Sequence, residues 1–413
     1  TPQAVPFKIP EGKPIVWKEV PKEFVPVGNT VRFDLDRLPS KPFFLGEETS
    51  LKKPVEKTTY DWSELTEYPF NLVPEVDSLV GSIVRLPEPI ITPVITPLKL
   101  EIVNAGILSF SNGQDLPGNI ILAQVIGPDG IHWIATEKGL VKFTGSEFHL
   151  YPIVKSDFSG SVNTISDLDF APDGKLIVSS FQKGIVIVDF EKELIESIEL
   201  SYGFSRGNVD NEGNYWGGRV VDEHKFIDLK NRTISNLDLK GLNLGINNSL
   251  GSFIDSKNNL WVGLRIGVGV IGPDRKKMKL FDRTTGLETF ANSDFTETSS
   301  GEILLSSFSP GLSSISLENS SITRLAAEQG FEGAPISITL DKEENIWIGS
   351  NQFFSIYKPK EGTIKTIETK SNLIGQGPPA VSIFDQEGMY WSGSWLQGLT
   401  LYDPSGMDSR HFT

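Results

Sequence analysis

The feature that most constrains this chain is a repeat. Seven segments share one pattern: an apolar strand, an acidic or glycine-containing turn, a strand centred on a large apolar residue, a polar loop, and a glycine that opens a third strand. The core positions of the second strands are Trp133, Ile177, Trp216, Trp261, Leu304, Trp347 and Trp391, spaced by 44, 39, 45, 43, 43 and 44 residues. A period of roughly 40–45 residues is typical of four-stranded propeller blades, which bury their faces by stacking on one another. The sequence therefore predicts an all-β protein, a seven-bladed β-propeller of four-stranded blades.

An acidic residue recurs in the turn between the first and second strands, at Asp129, Asp173, Asp210, Asp255, Asp341 and Asp385. Asp and Gly are favoured in tight turns because they tolerate, or locally stabilise, the required backbone angles. The segment 210–214 resembles half of a calcium loop, but position 12 of such a loop, normally Glu, would be Val221. We interpret these carboxylates as turn residues, and we expect neither a metal nor a cofactor.

Proline is concentrated before the repeats, with 15 of the 26 prolines within residues 1–97. Each proline fixes φ and biases its predecessor towards extended backbone, so a helical domain is not expected there. The segment also carries large aromatic residues, at Trp17, Phe33, Phe43, Phe44, Trp62 and Phe70. We predict a Pro-rich extended arm over residues 1–97, packed by its aromatics on a propeller formed by residues 98–413. Residues 98–110 are predicted to join the outer edge of the seventh blade and close the ring.

Composition excludes several classes of protein. The chain has no Cys, so disulfides, a thiolate nucleophile and Cys-ligated metals are excluded. With 53 acidic against 38 basic residues, its net charge of −15 argues against nucleic acid or anionic lipid as the main partner. No run approaches the roughly 18 apolar residues that a membrane span needs.

Two sets of propeller loops are expected at one end of the channel: those that enter the innermost strand and those that join the second strand to the third. Counting back 14 residues from three core positions reaches Asn119, Asn163 and Asn247. The second set contributes four aromatic and four cationic side chains, Phe181, Phe308, Phe353, Trp395, Lys138, Lys183, Arg219 and Arg265. Aromatic faces stack on sugars or apolar ligands, and Arg binds carboxylate or sulfate with two hydrogen bonds. We predict that these residues form a ligand-binding site at the channel mouth.

Each of these residues also has a structural interpretation. Asn residues at equivalent points are typical of side chains that cap a turn at the start of the inner strand. The aromatic side chains can equally fill the mouth as an apolar plug. The sequence leaves both interpretations open.

Three blocks resemble the two-component regulator propeller repeat, which reads approximately Asp-x-x-Gly-x-Ile/Leu-Trp-Ile/Val-Gly-Thr-x-x-Gly-Leu-x-x-Tyr/Phe-Asp. They are residues 130–140, 345–350 and 389–399, the last followed by Tyr402-Asp403-Pro404, and the resemblance extends over about residues 100–413. It implies a periplasmic or cell-surface sensor module like those of Bacteroidetes hybrid sensor kinases and regulators that respond to glycans. Such proteins usually carry two tandem propellers and this sequence has seven repeats, so we expect either the sensor part of a longer protein or a stand-alone relative.

The resemblance implies an extracytoplasmic sensor or ligand-binding propeller, with its signal sequence removed, that binds a carbohydrate or another small polar ligand. A protein partner is a further expectation, whereas nucleic-acid binding and membrane insertion are not expected. There are two alternatives. One is a protein-interaction platform, and the other is an enzyme, because streptogramin-type lyases are seven-bladed propellers with a similar Trp repeat. Their chemistry needs a positioned His base. Here His132 lies within a second strand, and His149, His224 and His411 map to outer strands or their connections, so we expect outward-facing, non-catalytic histidines.

Overall fold

The computed structural model describes residues 47–76, 78–94, 98–99, 107–110, 116–153, 165–204, 206–218, 224–238, 251–264, 266–287, 294–306, 311–331, 333–350, 353–368, 379–394, 398–402 and 404. These residues form seven antiparallel sheets whose innermost strands contact one another in a closed ring. The seven-bladed propeller predicted from the repeat spacing is confirmed. In this part of the chain no helix is both long and apolar enough to cross a membrane.

The N-terminal strands precede the repeats. Residues 48–93, which we call the belt, contain β1 (Glu48–Ser50), β2 (Glu56–Thr59), β3 (Glu67–Pro69), β4 (Leu72–Val76), β5 (Ser82–Arg85) and β6 (Ile90–Pro93). They are followed by β7 (Leu98–Lys99) and β8 (Ile107–Phe110).

The blades then follow in chain order. Blade 1 contains β9 (Ile121–Ile126), β10 (His132–Thr136), β11 (Gly139–Phe143) and β12 (Glu147–Tyr151); blade 2 contains β13 (Ile165–Phe170), β14 (Leu176–Ser180), β15 (Gly184–Asp189) and β16 (Leu194–Ile198). Blade 3 contains β17 (Arg206–Val209), β18 (Tyr215–Gly218), β19 (His224–Asp228) and β20 (Thr233–Leu237); blade 4 contains β21 (Ser252–Ile254), β22 (Leu260–Leu264), β23 (Gly267–Ile271) and β24 (Lys277–Asp282). Blade 5 contains β25 (Asp294–Glu297), β26 (Glu302–Ser306), β27 (Leu312–Ser316) and β28 (Ser321–Leu325); blade 6 contains β29 (Pro335–Leu340), β30 (Ile346–Ser350), β31 (Phe353–Lys358) and β32 (Thr363–Glu368). Blade 7 contains β33 (Pro379–Phe384), β34 (Tyr390–Ser394) and β35 (Gly398–Tyr402), and 3-10 turns at Arg283–Thr285 and Ala327–Gln329 follow β24 and β28.

The seven core positions all lie on second strands and fill the space between neighbouring blades. Their exposed fractions run from 0% at Trp261 to 5% at Trp391. Trp133 of blade 1, for example, belongs to one apolar cluster with Leu168 and Val178 of blade 2. The large apolar residue of the repeat therefore acts as the packing element between blades.

The prediction of four-stranded blades is wrong, because each sheet of the described structure has a fifth, outermost strand. The belt supplies it in reverse order along the ring: β6 pairs with β12 of blade 1, β5 with β16 of blade 2, β4 with β20 of blade 3, β3 with β24 of blade 4, β2 with β28 of blade 5, and β1 with β32 of blade 6. An open sheet edge presents unpaired N–H and C=O groups that invite aggregation. The belt covers the outer edge of six blades.

Side chains add to this backbone pairing. Lys225 of β19 is 1% exposed, and its ammonium donates to the carboxylate of Glu75 in β4. The Tyr60 hydroxyl donates to the Ser316 carbonyl at 2.9 Å. Of the aromatics predicted to dock the arm, Trp62 lies 6.1 Å from Phe281 and Phe70 lies 6.2 Å from Trp216, between ring centroids. The other four lie outside the described residues, and the boundary between arm and propeller at residue 97 stays a prediction.

Blade 7 is completed by the segment that precedes blade 1. β8 pairs with β35, with Leu108 opposite Leu401, and β7 pairs with β8. The prediction that residues 98–110 join the outer edge of the seventh blade is confirmed for residues 98–99 and 107–110, and the residues between them lie outside the described ones. Because the ring is closed by strands from both ends of the repeat region, blade 7 cannot open without breaking β-sheet hydrogen bonds.

Four blades hold the hairpin between their first two strands with what we call an Asp–Trp clasp. The carboxylate of an Asp accepts a hydrogen bond from the indole Nε1 six residues later: Asp210 from Trp216 at 2.9 Å, Asp255 from Trp261 at 2.9 Å, Asp341 from Trp347 at 2.9 Å and Asp385 from Trp391 at 2.7 Å. The second carboxylate oxygen accepts the backbone N–H four residues on, at 2.7–2.9 Å. The turn role predicted for these carboxylates is confirmed, and among the described residues no group of three or more acidic or His side chains could hold a metal ion.

Asp129 and Asp173 do not form an Asp–Trp clasp, although the repeat alignment predicted that they are equivalent to the four clasp residues. The clasp position in blades 1, 2 and 5 is occupied by Gly127, Ala171 and Thr298. Gly127 N donates to Ile131 O at 2.7 Å, just as Asp210 N donates to Asn214 O at 2.9 Å. Asp129 comes two residues later in the turn and accepts only the Ile131 N–H, at 3.1 Å. Blade 1 therefore has a clasp Trp without a clasp carboxylate.

Candidate functional site

The loops that enter the inner strands and the loops that join second to third strands meet at one end of blade 1, which we call the entry face. The carboxylate of Glu137, just after β10, accepts the backbone N–H groups of Asn119 and Ile120 at 3.0 and 2.9 Å, just before β9. The Asn119 carbonyl in turn accepts the N–H of Gly398 from blade 7, at 2.8 Å. Asn119 thus links two blades through its backbone at the entry face.

The structure describes four of the eleven predicted mouth residues with their side chains. Asn119 is half-buried, Lys138 and Lys183 are exposed, and Phe181 is 42% exposed in the loop between β14 and β15. Phe353 is the first residue of β31, and nothing further is described of it. The remaining six, Asn163, Arg219, Asn247, Arg265, Phe308 and Trp395, lie outside the described residues. Two cationic side chains and one exposed ring are therefore placed at the entry face of blades 1 and 2.

A cavity of about 160 Å³ lies inside the ring, between the first halves of the inner strands of six blades. Inner strands start at the entry face, so this half of the channel is the half nearest the mouth loops. Most of its lining is polar and includes Gln124, Ser166, Asp167, Arg206, Asn208, Ser252, Asp294 and Ser382. We refer to it as the channel cavity.

The charged centre of the channel cavity is an ion pair between blades that are not neighbours in the ring. Arg206 Nη1 of blade 3 lies 2.7 Å from Asp294 Oδ1 of blade 5, and the two side chains are 26% and 23% exposed. Asp294 Oδ2 accepts the backbone N–H of Ile338 in blade 6, at 3.0 Å. Burial raises the pKa of Asp294 above its usual range, while the Arg206 charge opposes that change. The guanidinium is therefore held in place while part of it faces the cavity.

Two further carboxylates connect blade 2 to blade 3. Asp167 Oδ2 accepts the Gly207 N–H at 3.0 Å, and Asp169 Oδ2 accepts the Val209 N–H at 2.7 Å. Burial raises the pKa of Asp167 to about 6 and that of Asp169 to about 7, since desolvation disfavours the charged form. These carboxylates hold the two blades together, and Asp167 also lines the channel cavity.

Asn208 adds an unused hydrogen-bond acceptor to this wall. Its Oδ1 is buried and has no hydrogen-bond partner among the described residues. Buried carbonyl oxygens of this kind are normally paired, and an unpaired one carries a desolvation penalty. Asn208 also lines the channel cavity, and a rotation of its side chain would bring this buried oxygen to a hydroxyl or amide donor bound there.

Sequence reasoning missed these residues because it searched the loops rather than the strands. Asp167, Arg206 and Asp294 each precede the core residue of their blade by ten positions. The same position in the other four blades holds Ala123, Gly251, Ser337 and Val381. Charged residues at three of the seven equivalent inner-strand positions indicate a polar channel.

The histidines of the described residues do not line the channel cavity. His132 is 5% exposed and His224 is 2% exposed, so the expectation that they face outward is wrong. His132 packs edge-on against Trp391 at 4.8 Å and bonds Gln124 Oε1 at 2.9 Å. Burial lowers the pKa of His132 to about 3 and that of His224 to about 4, which keeps both neutral. His149 is paired with Glu147 at 2.9 Å on β12, and His411 lies outside the described residues.

Comparison with solved structures shows which proteins share this fold. The extracellular domain of a protein described as a hybrid two-component system of B. thetaiotaomicron matches with a TM-score of 0.58 at 15% identity, over 72% of this chain and 41% of that one. A second such domain from the same organism matches with a TM-score of 0.59 at 14% identity, over 72% and 39%. Virginiamycin B lyase from Staphylococcus aureus matches with a TM-score of 0.57 at 14% identity, over 72% of this chain and 98% of the lyase.

These likenesses establish the fold, which the extracellular domains of two-component systems and the lyase have in common with this chain. The chain spans about two fifths of the length of the two-component domains. No protein-family model matches the sequence, and no curated protein matches it either.

Proposed function

We propose that this protein is a sensor-type, ligand-binding propeller that works outside the cytoplasm and binds a carbohydrate or another small polar ligand at the entry face of its channel. The observation that carries the proposal is the channel cavity, with its partly exposed Arg206–Asp294 pair and its lining of polar side chains such as Gln124. A site of this kind offers donors and acceptors in fixed positions, which is what recognition of hydroxyl, amide or carboxylate groups requires.

The size of the cavity limits what enters it. At about 160 Å³ it is smaller than the roughly 300–1,000 Å³ usual for ligand sites, so only one end of a ligand fits. The rest of the ligand would contact the mouth loops, where Phe181 supplies an exposed ring and Lys138 and Lys183 supply cationic groups. We include Phe308, Phe353, Trp395, Arg219, Arg265, Asn119, Asn163 and Asn247 in the proposed contact set on the strength of their place in the repeat.

The extracytoplasmic location is supported by the fold neighbours, which are extracellular domains of two-component systems. The polar cavity favours ligand binding over a purely structural plug, because a plug would fill the channel with apolar side chains. Catalysis has weaker support, since His132 and His224 are buried and neutral and neither lines the cavity.

The test is a thermal-shift screen with neutral, acidic and sulfated sugars, followed by calorimetric titration of each compound that raises Tm. Phe181→Ala, Arg265→Ala and Trp395→Ala should each weaken binding by about tenfold, the loss expected for a central aromatic or Arg contact. Lys192→Ala is the control, because Lys192 is exposed on the outer part of blade 2. The proposal fails if all three mouth variants bind as the unchanged protein does, or if the control loses binding to the same extent.

A further inference from the structure

We propose a second ligand site on this protein, a pocket between blades 1 and 2 under the belt, which binds a small organic ammonium compound. The pocket has a volume of about 440 Å³, within the range usual for small-molecule sites. It is lined by the hairpin ends and third strands of the two blades and by belt residues, and it shares no lining residue with the channel cavity.

The belt creates this pocket by crossing the groove between two blades. β5 pairs with the outer strand of blade 2 and β6 with that of blade 1, so residues 86–89 must bridge the gap. Leu86 N donates to the Glu193 carbonyl at 2.7 Å, which fixes the start of the bridge. Pro87 and Pro89 then restrict the backbone on both sides of Glu88. An open groove between blades thereby becomes a walled pocket whose rim carries a carboxylate.

The floor of the pocket contains the one clasp Trp that lacks its carboxylate. In the other four clasp blades the indole N–H is used by an Asp, whereas blade 1 has Gly127 at that position. A Cβ placed on Gly127 would lie 3.4 Å from Trp133 Nε1 and only 2.5 Å from Asp129 Oδ1, so the Asp129 carboxylate occupies the space of the missing side chain. No described residue accepts a hydrogen bond from this indole. Trp133 is only 3% exposed, so an occupant meets its N–H at the pocket wall and reaches its ring only after the Lys142 side chain moves away.

The aromatic lining continues beyond Trp133. Phe190 stacks on it with ring centroids 4.4 Å apart, and Tyr151 lies 6.0 Å away. Phe170 completes this part of the lining. Aromatic faces carry a negative electrostatic potential and attract cations, most strongly at Trp.

The charges around the pocket favour a positive ligand. Glu88, Asp129 and Glu191 are exposed carboxylates of its lining, whereas Glu193 is already paired with Arg85 at 2.8 Å. Lys142 is the cationic residue of the lining, and its ammonium already sits over the Trp133 ring at 5.6 Å from the centroid. The protein itself thus shows that an ammonium group is accommodated at this ring. A ligand cation would take the place of the Lys142 head, whose flexible stem can move it into solvent.

Choline is a suitable probe, because it joins a quaternary ammonium to a hydroxyl oxygen that can accept from the Trp133 indole. Its neutral isostere 3,3-dimethyl-1-butanol has the same shape and hydroxyl but no charge. Titration of the full chain by calorimetry, backed by ligand-observed NMR, should show choline binding roughly tenfold tighter than the isostere, the preference that one desolvated cation–π contact gives. Acetate should not bind.

Four variants separate this proposal from nonspecific binding and from the mouth site. Lys142→Met removes the resident ammonium and should tighten choline binding, while Glu88→Gln should weaken it severalfold. Glu387→Gln makes the same charge change on the exposed hairpin of blade 7 and should leave binding unchanged. Phe181→Ala at the channel mouth should also leave it unchanged.

Equal binding of choline and its isostere, or no choline binding at tens of millimolar probe, would overturn the proposal. Weaker choline binding by Lys142→Met would also overturn it, because Lys142 would then belong to the recognition of an anionic or neutral ligand. Since Lys142→Met predicts a gain, loss of folding cannot imitate the expected result.

Discussion

Replacing Asp255 by Asn tests the Asp–Trp clasp most directly. Asp255 is 5% exposed and its carboxylate accepts four hydrogen bonds: from the backbone of Lys257 and Asn259 at 3.0 and 2.7 Å, from the Asn259 amide at 2.8 Å, and from Trp261 Nε1 at 2.9 Å. An Asn side chain keeps one acceptor oxygen and turns the other into a donor. That new NH₂ group would face two donors, and the Trp261 indole, fully buried, would lose its acceptor.

The magnitude follows from these contacts. A buried donor left without a partner costs about 1–3 kcal/mol, and the lost charge adds to this because hydrogen bonds to ionised groups are stronger. The Asn259 amide can turn to accept from the new NH₂, which lowers the total. We expect the free energy of unfolding to fall by about 2 kcal/mol. Asp129→Asn is the matched control. The Asp129 side chain is exposed and accepts a hydrogen bond from one backbone N–H but none from an indole, so its replacement should cost less than about 0.5 kcal/mol.

Urea unfolding followed by both fluorescence and far-ultraviolet circular dichroism gives the free energies, provided the slopes agree between variants. A double-mutant cycle with Trp261→Phe, which deletes the N–H donor, should return a coupling of about 1–2 kcal/mol between the two residues. The reasoning is refuted if Asp255→Asn costs no more than Asp129→Asn, or if the coupling is zero.

Three other predictions use the same structure. A Cβ on Gly127 would lie 2.5 Å from Asp129 Oδ1, so the test is made in a protein that carries Asp129→Ala. There, Gly127→Asp supplies blade 1 with the missing acceptor for Trp133 and should stabilise the protein by about 1 kcal/mol, whereas Gly127→Ala, which adds no acceptor, should gain less; thermal unfolding compares the two. Glu75→Gln removes the carboxylate that pairs with the buried ammonium of Lys225, and it should lower the free energy of unfolding in urea by about 2 kcal/mol. Glu193→Gln breaks the ion pair with Arg85, whose side chains are 61% and 73% exposed, and should cost less than about 1 kcal/mol. Burial raises the pKa of Asp169 to about 7. Between about pH 4 and pH 7 the folded state therefore binds more protons than the unfolded state. The stability that protonated Asp169 contributes is lost as the pH rises through that window. The Tm difference between the protein and Asp169→Asn should therefore move in favour of the variant from pH 5 to pH 8, and a pH-independent difference would show that Asp169 stays charged.

The ring of blades was predictable because its packing depends on one residue per repeat. Trp261 and Leu304 occupy the same place between blades although one is aromatic and the other aliphatic, since the position requires bulk and burial rather than a particular ring. The spacing of such residues encodes the number of blades directly. The spacing between Asp and Trp also distinguishes the two kinds of turn carboxylate. Asp255 precedes its Trp by six residues and forms the clasp, whereas Asp129 precedes its Trp by four and does not.

The fifth strands of blades 1 to 6 were not predictable in the same way. β2 reads Glu56-Lys57-Thr58-Thr59 and pairs with β28 through its backbone, so its side chains carry little information about the partner. The Arg206–Asp294 pair was missed for a related reason. Its two residues belong to blades 3 and 5, and only the closed ring brings them together across the channel.

The reverse order of the belt has a consequence for how the chain acquires its structure during synthesis. β6 pairs with a strand only a few tens of residues away, as in the contact of Thr92 with Phe148 across 56 residues, whereas Thr49 of β1 meets Ile364 across 315 residues. The belt leaves the ribosome before any blade exists, and each newly completed blade can capture the next belt strand towards the N-terminus. Pairings of such long range are slow and leave edges exposed in the meantime. Folding would therefore proceed as a zipper from β6 to β1, and the N-terminal end of the belt would be the last part to find its partner.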